Sequence, residues 1–285
     1  MGDFTRGALL CTGFVLSFYM WPSQRRFVRQ LLFHPKGNVP SIDRDDPTIV
    51  KQRMISFTVA CALGELWKRC VLPPVSAAPS GTTVVQHLCV CFFSTVALFA
   101  GPLYEFLSGK APTPTCTVDV YFVRDVVLAP LGEELFFRGV ILQQFQGRSE
   151  RVAIALSAIL FALSHSHHLF TTVGAALDDE KAGETSDITD DAVRRCWMEG
   201  LHDLTRVYAI TFVFGLVSGL YYTRLCGGSV LPIAATHSLC NVLGPPPLTF
   251  LGKSEKPSGR CVTVLVYAVG IATWCGLMVK FARSP

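Results

Sequence analysis

The chain has 285 residues, of which 50% are hydrophobic and only 16% charged, against about 25% charged in an ordinary soluble domain. Its mean hydropathy is positive, which points to a protein of the lipid bilayer and against a soluble globule. A net charge of +4, scattered along the chain rather than clustered between aromatic residues, gives no footprint for nucleic acid.

In chain order, eight apolar stretches are candidates for membrane-crossing helices, which need about 20 mostly apolar residues. The first runs from Gly7 to Trp21, the second from Met54 to Leu72, and the third from Val84 to Leu107, with a kink expected at Gly101-Pro102. The fourth, Val118 to Gln144, carries charges, and the fifth spans Arg151 to Phe170. The acidic stretch Asp178 to Asp191 reads as a solvated loop, followed by a short amphipathic helix from Ala192 to Leu204. The sixth, seventh and eighth spans are Thr205 to Leu225, Ser229 to Leu243 and Cys261 to Phe281. Gly215 and Gly219 have the small-xxx-small spacing that lets two membrane helices approach closely. The expected fold is therefore all-α, a polytopic membrane bundle of about eight helices forming one domain over residues 1–285.

No small-residue cleavage site follows the first apolar run; Arg25, Arg26 and Arg29 follow instead, as after a retained anchor. Seven Lys and Arg between Gln24 and Arg53 mark that loop as cytosolic, which puts both termini on the other side and turns the His165 end of the fifth span to the cytosol. The eleven cysteines are odd in number, fall largely within apolar runs and form no C-x-x-C pair, so they read as small packing residues.

Three spans hold polar groups that lipid would not tolerate. Span four contains Glu133, Glu134 and Arg138, at roughly 2.5 to 3.5 kcal/mol per charge if they faced hydrocarbon. Glu134 and Arg138, one helical turn apart, can pair, which leaves Glu133 as the carboxylate available for chemistry. A carboxylate in an apolar site holds its proton more tightly, as a general base requires. Span five ends in Phe161-x-x-x-His165, with His167 and His168 just beyond; these two read equally well as interfacial residues. Span seven carries His237 and Asn241 on one helical face, two hydrogen-bond donors suited to an oxyanion or to joining neighbouring helices. An acid, an imidazole and a donor pair on three separate apolar spans imply one shared cavity.

At these segments the chain resembles the type II CAAX prenyl endopeptidases, the family of the Ras-converting protease of the endoplasmic reticulum, whose pattern is E-E-x-x-x-R, F-x-x-x-H, H-x-x-x-N. All three motifs occur in order, as Glu133-Glu134-x-x-x-Arg138, Phe161-x-x-x-His165 and His237-x-x-x-Asn241. Each motif alone is weak; three in order, each on an apolar span, are specific. The resemblance implies a metal-independent glutamate protease without cofactor. Glu133 and His165 would activate a water, and His237 and Asn241 would stabilise the oxyanion. Glu134, Arg138 and Phe161 would support the site. It also implies substrates that are prenylated proteins ending in C-a-a-X, such as small GTPases, and an endoplasmic reticulum site reached from the cytosol. Three other readings stay open on the residues alone: a zinc protease using Glu133, His165 and His237, a cysteine protease built on Cys240, and a non-enzymatic scaffold or transporter.

Overall fold

The computed structural model describes residues 2–36, 46–72, 81–115, 117–183, 188–252 and 257–282. Every regular element among them is helical, as a chain of apolar stretches in lipid must be, since a helix satisfies its own backbone hydrogen bonds. In order these are α1 (Asp3–Ser17), α2 (Pro22–Phe33), α3 (Pro47–Val71), α4 (Gly81–Leu98), α5 (Ala100–Leu107), α6 (Val120–Phe122), α7 (Ala129–Phe136), α8 (Glu150–Ser164), α9 (His168–Gly183), α10 (Asp190–Leu220), α11 (Val230–Leu243) and α12 (Pro257–Ala282). The protein is an all-α polytopic membrane protein. Among the described residues, three helical stretches are each long and apolar enough to cross a bilayer by themselves, namely Glu150–Ala182, Asp190–Leu225 and Gly259–Lys280. A fourth arises if the pair Thr83–Leu98 and Ala100–Leu107, bent by 66°, counts as one span. The bend falls just ahead of Gly101-Pro102, because a proline cannot donate to the preceding turn.

Three local expectations need correcting. The acidic stretch from Asp178 is not a loop throughout: α9 continues to Gly183 and Asp190 and Asp191 open α10, while residues 184–187 lie outside the described residues. The amphipathic segment from Ala192 to Leu204 and the sixth span are one continuous helix, α10, because no Gly-Pro or Pro interrupts Asp190–Leu220. The basic interval after Trp21 also holds a helix, α2, started by Pro22 at its first position; residues 37–45 of that interval lie outside the described residues.

The chain forms two compact units, residues 1–74 with 135–219 and residues 75–134 with 220–285, and the boundary falls inside α7 between Glu134 and Leu135. In the first unit α1 packs on α3 and α8, around rings that include Phe14 on Phe136 at 4.5 Å and Phe137 on Phe161 at 4.9 Å. Asp46 caps α3 by accepting from the Thr48 and Ile49 amides. The paired glycines do bring two helices together: a Cβ on Gly215 would lie 3.0 Å from the Ala158 backbone, and one on Gly219 would lie 2.9 Å from Ile154.

In the second unit α4 packs on α11 and α12. The wholly buried Glu105 of α5 accepts from the Thr249 amide at 2.8 Å, the Thr249 hydroxyl at 2.5 Å and the Tyr267 hydroxyl at 2.7 Å. Three donors replace the hydration a buried carboxylate loses, and they pin the turn that follows α11 to α5 and α12. Gly244, at φ +68°, ends α11 with its amide on the Cys240 carbonyl.

Candidate active site

The fourth span is built irregularly, and the irregularity begins with its sequence. Asp119 starts it by accepting from the Tyr121 and Phe122 amides. After α6 the helix widens to i→i+5 bonding over Val123–Leu128, returns to α geometry in α7, and widens again over Phe137–Ile141. Such π turns are rare and gather at functional sites. In the first of them the Ala129 amide bonds the Arg124 carbonyl; the next bond of that ladder would run from residue 130 to the Asp125 carbonyl, but residue 130 is proline and has no N–H. The Asn241 side-chain amide of α11 donates to that carbonyl instead, at 2.8 Å.

One turn earlier on α11, the buried His237 ring meets both glutamates. Its Nδ1 lies 3.0 Å from Oε1 of Glu134, a carboxylate with no exposed surface. Its Nε2 lies 3.9 Å from Oε2 of Glu133, whose side chain keeps 20% of its surface exposed. With a Glu134 carboxylate oxygen as the acceptor, Nδ1 carries the proton and is the donor to Glu134. Nε2 can donate toward Glu133, or to an oxyanion, only when the ring carries both protons. Of the two carboxylates, Glu134 is fixed and enclosed, whereas Glu133 is the one with open surface.

The remaining expected residues lie in the first unit. Arg138 is 1% exposed. Its guanidinium donates to the Ser218 hydroxyl and to the Gly215 carbonyl, and it stands 4.7 Å from the centroid of the Phe161 ring. Phe161 is fully buried and stacks edge-on against His165 at 4.8 Å. His165 Nδ1 lies 2.8 Å from the Phe161 carbonyl, an acceptor only; Nδ1 is therefore the N–H, and in the neutral ring Nε2 keeps the lone pair a base needs. His168 lies nearly parallel to His165 at 5.8 Å, and His167 packs on Phe18 at 5.4 Å.

Residues 117–243 match the family described as "Type II CAAX prenyl endopeptidase Rce1-like". The chain is 24% identical to "Probable CAAX prenyl protease 2" of Schizosaccharomyces pombe, over 82% of this chain and 78% of the relative. It is 23% identical to human "CAAX prenyl protease 2", over 94% of this chain and 78% of the relative. Over the span that holds its three polar motifs, the chain is similar to the type II CAAX prenyl endopeptidases. No solved structure matches it.

The stretch matched to the CAAX endopeptidase family holds all seven residues singled out by sequence. The second unit brings Glu133, Glu134, His237 and Asn241 near one another, and the first holds Arg138, Phe161 and His165. Sequence reasoning missed Ser218 and the Asp125 carbonyl. Ser218 offered no signal, being one serine in an apolar helix; Asp125 had one, since Pro130 five residues on leaves an acceptor unserved wherever the helix widens.

Proposed function

We propose that this chain is an intramembrane endopeptidase that hydrolyses the amide bond after the prenylated cysteine of proteins ending in C-a-a-X and releases the last three residues. The observation that carries the reading is the His237 ring set between two glutamates, one enclosed and one open, within the segment matched to the family. In this reading Glu133 takes one proton from a water whose other O–H donates to His165 Nε2, and the hydroxide adds to the amide carbonyl. His237 and Asn241 donate to the oxyanion that forms. Collapse breaks the C–N bond, and the proton held by Glu133 passes to the leaving amine, so that the products are a prenylcysteine carboxylate and a free tripeptide. Glu134 orients His237, and Arg138 with Phe161 supports the His165 end. No step calls for a metal or cofactor.

The substrates of this reading are prenylated proteins of the small GTPase kind. Their lipid chain prefers hydrocarbon while the protein part stays in the cytosol, so the site opens to both, in the endoplasmic reticulum membrane. The experiment is tripeptide release from a prenylated C-a-a-X peptide by the purified, reconstituted chain, with and without a strong metal chelator, beside Glu133→Ala. Release that survives the chelator and disappears in Glu133→Ala supports the glutamate mechanism. Release abolished by the chelator would replace it with metal chemistry, and folded wild type that never cuts would replace the endopeptidase reading altogether.

A further inference from the structure

The helix α2 plays no part in the proposed chemistry, yet it has two sharply different faces. Gln24, Phe27 and Leu31 are buried, and Phe27 and Leu31 pack with Val173 and Leu177 of α9 and Cys196 of α10. The docking is close: a Cβ on Gly174 would stand 2.7 Å from the Phe27 ring. At 100° per residue, Arg25, Arg26 and Arg29 fall on the opposite side, and all three are exposed. Among the described residues none of the three has a carboxylate partner.

The surroundings of this basic face suit the edge of a bilayer. α2 follows the first apolar helix directly, after Tyr19 and Trp21, aromatic residues that favour the membrane–water interface. Trp21 is held by its indole N–H on the Ser56 hydroxyl at 2.9 Å. Met20 and Phe33, at the two ends of α2, are 69% and 70% exposed. A helix with one docked face, three exposed arginines and bare apolar residues at its ends suits the headgroup layer, where apolar atoms reach the acyl boundary and guanidinium groups meet phosphate.

We propose that the outer face of α2 binds anionic phospholipid headgroups of the membrane in which the protein sits, through Arg25, Arg26 and Arg29. Charge complementarity selects that occupant. The leaflet facing the cytosol carries negative lipid, and arginine presents a planar fork that bonds two phosphate oxygens at once. The face lies outside the proposed catalytic residues, so lipid selection can be read separately from proteolysis.

The test uses the full chain in vesicles of phosphatidylcholine with phosphatidylserine. The protein is extracted into mild detergent, and the lipid that stays bound is counted by mass spectrometry of the intact complex. Wild type should keep phosphatidylserine in preference to phosphatidylcholine. The R25Q/R26Q/R29Q variant should lose that preference with an unchanged melting temperature, while R25K/R26K/R29K keeps part of it. Arg29→Gln alone, a milder change, should lower it measurably even if the triple variant folds poorly. Equal retention of the two lipids by wild type, or an undiminished preference in folded R25Q/R26Q/R29Q and Arg29→Gln, would overturn the proposal.

Discussion

The Asn241 side chain donates to the Asp125 carbonyl at 2.8 Å, and it does so because Pro130 cannot. A residue expected from spacing to face an oxyanion thus also completes the backbone of a neighbouring helix. An amide nitrogen has two N–H groups, so one can hold Asp125 while the other serves an oxyanion. The bond ties α11, which carries His237, to the helical segment that leads into Glu133 and Glu134.

The Asn241→Ala substitution should therefore destabilise the fold by about 1 kcal/mol as well as reduce turnover, since it strips a backbone acceptor of its donor. In the Pro130→Ala background, residue 130 regains an N–H that can reach Asp125, so the same substitution should cost less stability. Thermal melting of the four proteins in detergent closes the double-mutant cycle, and strictly additive effects would refute the link.

Glu133→Gln is expected to lower kcat about 10²- to 10⁴-fold, the usual worth of a general base, with KM little changed. If Glu133 and His165 act on one water, combining Glu133→Gln with His165→Gln should cost scarcely more than the worse single change. Multiplying losses would separate the two residues into different steps.

Glu134 is expected to act through His237 rather than on substrate. Glu134→Gln keeps an oxygen that can accept from His237 Nδ1 and should retain more activity than Glu134→Ala, which removes the acceptor. In both variants kcat should fall while KM stays nearly constant, because Glu134 acts through the ring and not on substrate. Equal loss in Glu134→Gln and Glu134→Ala would leave Glu134 with a packing role only.

Gly215→Leu should destabilise the protein by about 1 to 3 kcal/mol, the usual cost of overpacking, because its Cβ position already stands 3.0 Å from the Ala158 backbone. Activity should fall further than stability alone explains, as the Gly215 carbonyl and Ser218 both hold Arg138. Melting curves and turnover at a temperature well below the transition separate the two effects.

Two carboxylates outside the spans set an acid limit. The hydrogen bond from Arg148 holds Asp3 down to about 2, and the amides of Ile49 and Thr48 hold Asp46 below the usual carboxylate range. Groups depressed in the folded state contribute stability that is complete above their unfolded value of about 3.9 and is lost as pH falls through the folded one. Melting temperature should drop between about pH 4 and pH 2, and the drop should shrink in Asp3→Asn; an identical acid slope in that variant would remove the pair from the account.

What could be read from the chain alone is what depends on composition and on spacing within one helix. Long apolar runs leave the backbone no option but helix in lipid, and so the all-α fold was legible, whereas α3 and α10 begin well before the apolar runs that marked them. Glu133, Glu134, Arg138, His165, His237 and Asn241 stood out because charge and polarity inside apolar runs are too costly to keep without a purpose. Spacing of three or four residues tells which side chains share a face; it does not tell what stands opposite. That His237 turns Nδ1 to Glu134, that Arg138 is held by Ser218 and Gly215, and that Asn241 serves the carbonyl Pro130 leaves open were decided only when separate helices packed. Each of these bonds joins residues some 77 to 116 positions apart in the chain, and a contact of that separation is selected by the packing of whole helices, which no local pattern encodes.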